Sequence, residues 1–512
     1  MAAANPLAAA VVTVVVALVV GAVLGALGGG GLPVGFHVTK LFMYGKDGLI
    51  PYLLEETMNK KGMNFRISNF TGGSYAVVVG DPDSAKRLLA NVTGLTGGHS
   101  KLMGAYPLMT RGHVMVSSNG EQWKSRRNQL RHLFTTNTVR GAFPLAHRMQ
   151  DRLMAKFDKK PGGSFDVQEE FLMYSFDYAS NSQYGCDLEA LNGKESGEAI
   201  FHVIDKLMVK WFSALTAITE TFGHTACKIW ESLPLPDARE YNDDQARCQK
   251  LIIDHIITPA RAKGEALKDN ILAELLKMDD PHTKAKLTDK QLASDLMDLY
   301  VAGYDTTGHT VAFTLFLLCL NPECMKKVAA EADSVLKGRE KADYDDLKAM
   351  PYLDAVVKES ARRYPASAGA TMRRLEKPEV LDGVKLPKGT AIWVPVHALH
   401  NSTRLWESPH EFRPERWMVQ GAEEAPMVPP SNPLGPFDAA KGMPGPFLTF
   451  IMGPRACLGQ QLGYVHSKAI LATFLHNYSF ELDVSKTKPD AYPRNLFAMH
   501  FVEGLHMKIT KR

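Results

Sequence analysis

The segment that most constrains the fold is residues 288–320, TDKQLASDLMDLYVAGYDTTGHTVAFTLFLLCL. Thr288 and Gln291 make a capping box that predicts a helix start. The second half is apolar almost all round, and such a helix belongs inside a large core. Asn321-Pro322 ends it. A chain of 512 residues, 45% hydrophobic and 22% charged, can supply that core. Yet Asp305, Thr306, Thr307 and His309 lie in the middle, beside Gly303. Glycine weakens a helix, and buried polar groups cost energy unless satisfied. A local conflict of this kind in a buried element marks a candidate functional site.

The surrounding pattern predicts a mainly α protein with a small β component. SYAVVVG (74–80) reads as a strand, followed by Asp81-Pro82 and a helix. Residues 119–135 read as helix, with Trp123, Arg127, Leu130 and Phe134 near one face. Residues 143–156 and 165–180 read as amphipathic helices, and 323–340 and 350–363 as further ones. Residues 196–233 form a long apolar helical region, either core packing or the lid of an apolar cavity. Residues 382–399 alternate like sheet with a turn. Residues 420–446, rich in Pro, Gly and Ala, read as loop. There is no internal repeat.

The formal charge is 59 minus 55, or +4, with no dense basic stripe. Nothing in that balance argues for nucleic acid. The six cysteines form no CxxC pair and no framework, so they read as reduced. Residues 6–27 carry no charge, and as a helix they would span roughly 33 Å, enough for a bilayer core. The expectation is an N-terminal transmembrane anchor over 1–27, a Gly-rich hinge over 28–35 and a globular body over 36–512.

Cys457 adds the chemistry. It sits in FLTFIMGPRACLGQQLGYVHSK, ahead of an apolar, helix-compatible run. A cysteine entering a helix N-terminus near an arginine has reason to be a thiolate. A thiolate so held can be a nucleophile or a metal ligand.

Four motifs in fixed order then resemble the cytochrome P450 family, the heme-thiolate monooxygenases. The cysteine loop FxxGxRxCxG is Phe450, Gly453, Arg455, Cys457 and Gly459. The mid-helix motif AGxDTT is Ala302, Gly303, Asp305, Thr306 and Thr307. ExxR is Glu359 and Arg362, and PER is Pro414, Glu415 and Arg416. A weaker WxxxR is Trp123 and Arg127. The resemblance covers essentially everything after about residue 36, and its cysteine loop is specific by itself.

The resemblance implies that Cys457 is the axial thiolate of a heme b iron, a ligand that favours O–O cleavage. Phe450 then packs by it, and Gly453 and Gly459 let the backbone approach the porphyrin closely. Trp123, Arg127, Arg373 and Arg455 resemble the heme-propionate contacts, with Arg374 as the alternative to Arg373. Ala302 and Gly303 leave space for dioxygen. Thr306 hydrogen-bonds the activated oxygen, and Asp305 belongs to the proton-relay side. Glu359, Arg362 and Arg416 resemble a buried structural network behind the cysteine loop. His309, His397 and His400 read as ordinary packing or loop hydrogen bonds.

Electrons are then expected from NADPH through a cytochrome P450 reductase, with cytochrome b5 as a further partner, docking near Lys441 and the 420–446 loop. The expected placement is single-pass in the endoplasmic reticulum membrane, in contact with its lipid, with the catalytic domain facing the cytosol. Residues 130–143, 165–191 and 450–468 resemble the fatty-acid-hydroxylating branches. The expected reaction is hydroxylation of a long-chain fatty acid or related lipid. A sterol, terpenoid, carotenoid or xenobiotic is the alternative lipophilic substrate. A heme-thiolate isomerase or dehydratase acting on lipid hydroperoxides is the alternative reaction.

Overall fold

A computed structural model of the chain describes residues 34–37, 49–70, 74–90, 100–101, 118–208, 224–264, 270–280, 283–369, 371–418, 424–427, 445–494 and 499–512. The central element runs from Asp289 to Leu320 as three joined pieces. These are an α-helix Asp289–Tyr300, a π-helical turn Val301–Asp305 and an α-helix Thr306–Leu320. The Thr288–Gln291 capping box is present. The π turn falls on the polar interruption read in the sequence; π-bulges collect at functional sites because the widened turn re-aims side chains.

Helices Val167–Tyr184, Pro351–Arg363 and Gln460–Asn477 pack around this rod. Their shared interior is one large core containing Phe176, Tyr300, Phe316 and Phe474. Asp166 caps the Val167–Tyr184 helix, accepting from the Gln168 and Glu169 N–H groups. Gly185 ends it in the left-handed conformation.

The β component is small. The largest sheet has six strands in the spatial order Val34–His37, Asn64–Phe70, Ser74–Val79, Ala391–Trp393, Arg373–Arg374 and Ser100–Lys101. Val34 and Gly35, read as the end of a hinge, therefore begin a strand. Of the alternating stretch 382–399, Val384–Leu386 and Ala391–Trp393 are strands, but Val396–Asn401 is a short helix. Residues 209–223 of the apolar 196–233 region and most of the 420–446 loop lie outside the described residues, as does Lys441.

One expectation is corrected. Among the described residues no helix is long and apolar enough to cross a membrane. The most apolar helix, Thr306–Leu320, has 15 residues. That is roughly 22 Å, short of a ~30 Å hydrocarbon layer, and its apolar side chains pack inside the protein core. The transmembrane architecture and the single-pass endoplasmic-reticulum placement are therefore withdrawn. The run 6–27 that suggested them lies outside the described residues.

Candidate active site

Cys457 lies between a short 3-10 segment, Gly453–Arg455, and the Gln460–Asn477 helix. Its N–H donates to the Phe450 carbonyl at 2.9 Å, and the Ala456 N–H donates to that of Gly453 at 3.0 Å. The loop so closed leaves Cys457 on the wall of a mainly apolar cavity. No disulfide engages it. Gly453 has φ +71°, and a Cβ there would stand 2.3 Å from the Leu89 carbonyl oxygen. Only glycine lets the loop pass so close to the end of the Pro82–Ala90 helix. Ile451, a branched residue, is held at φ +58°. Strain of that kind, of order 1–3 kcal/mol, persists where surrounding structure enforces a functional geometry.

The π turn contributes to the same cavity through Ala302 and Gly303, and the helix that follows it through Thr306. A Cβ on Gly303 would sit 2.8 Å from Gln183 Nε2. Gly303 thus makes room for Gln183, a cavity residue that no motif announced. The Thr306 hydroxyl donates to the Ala302 carbonyl at 3.2 Å.

Two arginines, Arg127 and Arg455, line the cavity, and a third, Arg373, lies behind its lining, close enough to act on Arg455. Arg455 is stacked on Trp123 with its guanidinium 4.4 Å from the ring centre, and Arg127 approaches the same ring at 6.0 Å. Arg455 also donates to the Ser118 carbonyl and to Asn119 Oδ1 at 2.6 Å. Burial, reinforced by repulsion from Arg373 and Arg127, pushes the Arg455 guanidinium down to about 9. Burial alone pushes Arg373 down to about 10. Arg373 is 2% exposed and its Nη2 has no hydrogen-bond partner. Arg374 is exposed and donates to the Gly389 carbonyl instead. Register therefore assigns Arg373 to the cluster.

Behind the loop lies a saturated network. Glu359 and Arg362 are fully buried. Glu359 Oε1 accepts from Arg362 Nη2 (2.8 Å), Arg413 N (3.0 Å) and Arg416 Nε (3.1 Å). Its Oε2 accepts from Arg362 Nε (2.9 Å) and Trp417 Nε1 (2.8 Å). Arg362 Nη1 also donates to the His400 carbonyl at 2.8 Å. His400 Nε2 accepts from the Leu448 N–H at 2.7 Å, two residues before Phe450. Burial, then the Arg362 charge, holds His400 down at about 3, so its ring is neutral and that nitrogen can accept. His400 is the hydrogen bonder that the sequence anticipated, but its link to the cysteine loop was not legible there.

Trp123, Arg127, Ala302, Gly303, Thr306, Phe450, Arg455, Cys457 and Gly459 thus share one cavity. Asp305 does not join them. Its side chain lines a separate polar cleft with His309 and Asp205.

The sequence model of the family described as Cytochrome P450 matches residues 30–506. That is most of the 512-residue chain. The chain belongs to the cytochrome P450 family. Curated relatives include cytochrome P450 3A6 of Oryctolagus cuniculus, 28% identical over 81% of this chain and 78% of that protein. Cytochrome P450 3A9 of Rattus norvegicus and 3A13 of Mus musculus are each 26% identical over 80% of this chain and 78% of theirs. Membership makes this P450 a heme-thiolate monooxygenase that uses dioxygen and NADPH.

The residues present fit the heme. A cysteine stands on an apolar cavity wall, and a cluster of three arginines, one with an orphaned buried Nη2, suits two carboxylates at one edge. Among the described residues no group of three or more His, Cys, Asp or Glu side chains forms another metal-binding cluster.

Proposed function

We propose that this P450 takes electrons from a separate NADPH-dependent flavoprotein reductase and hydroxylates a lipophilic molecule held in the Cys457 cavity. Bound heme supplies dioxygen binding and the oxidising chemistry. The protein's part is placement. Cys457 ligates the iron from its closed loop. Trp123, Arg127, Arg373 and Arg455 hold the propionate edge. Ala302 and Gly303 keep the dioxygen side open. Thr306 orients a hydrogen bond at the oxygen side, and Asp305 supplies protons to it. Glu359, Arg362 and Arg416 hold the loop's shape.

The observation that carries this reading is the position of Thr306, the first residue after the π turn, lining the same cavity as Cys457. A hydroxyl there suits dioxygen activation, whereas rearrangement of a preformed peroxide needs no such group. The apolar wall supports a lipophilic substrate. Among the described cavity residues the only cations are Arg127 and Arg455, both assigned to the heme. A long-chain fatty acid, the class favoured by residues 130–143, 165–191 and 450–468, would thus be gripped there by its chain.

The test is reconstituted turnover with NADPH and a diflavin reductase against fatty acids, sterols, terpenes and drug-like molecules. Product from any of these, absent without reductase, is the expected result. Turnover of lipid hydroperoxides without NADPH would overturn it. Cys457→Ala should abolish the thiolate-type ferrous–CO band, and an unchanged band would refute the ligand assignment. Thr306→Ala should raise peroxide release per NADPH and cut product about tenfold or more; unchanged coupling would refute its role.

A further inference from the structure

Asp305 and Thr306 are neighbours in sequence but line different cavities. Thr306 borders the Cys457 cavity, and Asp305 borders a polar cleft that Thr306 does not line. The central helix is the partition between them. The cleft runs inward from Glu169, His202 and Val502, which are exposed, to Asp305 and His309, which are 3% and 2% exposed. At its inner end two polar atoms have no hydrogen-bond partner, Asp305 Oδ2 and His309 Nε2. A buried polar atom left so costs roughly 1–3 kcal/mol. Water reaching in from the mouth would relieve both. A metal would not serve, since the described residues form no cluster able to hold one.

The remaining atoms are already in line. His309 Nδ1 lies 2.9 Å from the Asp305 carbonyl oxygen and 3.4 Å from Asp305 Oδ1. Asp205, half-buried, lines the same cleft. Burial, then the Asp305 charge, pushes its carboxyl up to about 6, a value from which it can both take and give a proton near neutrality. Asp305 closes the π turn, where the helix is locally widened.

The geometry points to this cleft as the proton inlet of the reaction, with Asp205 and His309 handing solvent protons to Asp305. The inference rests on the Asp305–Thr306 reading above and adds the residues that feed it. In the transfer, His309 Nε2 takes a proton from cleft water. The Nδ1–H bond breaks as an O–H bond forms on Asp305 Oδ1. The ring is left neutral in its other tautomer and resets by exchange with water. No electron moves. The titratable groups facing His309 are Asp305 on its own helix, Asp205 and His202 of the Glu195–Lys206 helix, Asp166 and Glu169 at the start of the Val167–Tyr184 helix, and His500 of the C-terminal segment.

The experiment uses the heme-loaded protein and two readouts. The first is hydrogen–deuterium exchange at the His309 imidazole C2 position, followed by mass spectrometry between about pH 5 and 8. Solvent connection predicts measurable exchange despite burial, at a rate that changes in Asp205→Asn. The second is coupling in His309→Phe, a change that keeps an aromatic ring beside Phe313. Product per NADPH should fall several-fold, less than the 10²–10⁴ of a complete general acid because cleft water still reaches Asp305. The dependence of coupling on D2O should change with it. A His309 that does not exchange, with Asp205→Asn like wild type, overturns the inlet, and this arm decides even if His309→Phe fails to fold. Wild-type coupling and D2O dependence in a folded His309→Phe would also overturn it. If Thr306→Ala uncouples while His309→Phe does not, only the inlet fails. If neither does, the Asp305–Thr306 reading fails.

Discussion

Two buried polar regions flank the Cys457 cavity, and they are built to opposite rules. Behind the cysteine loop, the Glu359 carboxylate accepts five hydrogen bonds, from Arg362 twice and from Arg413, Arg416 and Trp417. Across the central helix, Tyr304 Oη, Asp305 Oδ2 and His309 Nε2 are buried with no partner. A saturated network is rigid, because every alternative leaves a charge uncompensated. An unsaturated one stores readiness to bind water or pass protons. On the proposed reading, the contrast separates residues that hold the site's shape from residues that act in it.

The comparison can be broken by substitutions on each side. The largest stability loss is expected from Glu359→Gln. It leaves Arg362 and Arg416 buried without their carboxylate and should cost about 3–5 kcal/mol. Chemical denaturation, with the ferrous–CO band reporting heme retention, measures it. A loss under about 1 kcal/mol would show that the network is not what holds the loop. Trp417→Phe removes one N–H from Glu359 Oε2 and should cost about 1–3 kcal/mol by the same measurement.

Thr306→Ala belongs to the other class. Its hydroxyl bonds only the carbonyl one turn back, so stability should change by less than about 1 kcal/mol while coupling collapses. A large stability loss would move Thr306 to the structural side.

The smallest effect is a pH slope. The Asp205 carboxyl is raised from 3.8 to about 6 by burial and then by Asp305. Between those values the folded protein keeps a proton that the unfolded chain has released. Its contribution to stability is therefore present below pH 3.8 and is lost as pH rises to about 6. Asp205→Asn should flatten the decline across that window. Identical slopes in wild type and variant would place Asp205 in open solvent.

Much of this was legible in one dimension because its causes are local. The Thr288–Gln291 box, the stop at Asn321-Pro322 and the helix over residues 351–363 follow from caps, proline and periodicity within a few residues. The pairing of Glu359 with Arg362 is likewise set by i, i+3 spacing. The reading failed where a residue's partner is distant or its face depends on helix phase. Residues 396–399 read as sheet because apolar alternation over a short run does not separate the two forms, yet they belong to the Val396–Asn401 helix, which packs on the Ile50–Lys61 and Pro351–Arg363 helices.

By itself the sequence determined the family, the mainly α class, the candidate ligand cysteine and the order of the motifs, since each is carried by residue identity at fixed short spacing. Tertiary structure alone decided that Arg373 and not Arg374 turns inward, and that Gln183 fills the space Gly303 leaves. It alone tied His400 to Leu448 and put Asp305 and Thr306 on different cavities. Each of these depends on what a distant segment brings to one face of a helix or strand. On the central helix, the π turn shifts that face where neither periodicity nor spacing records it.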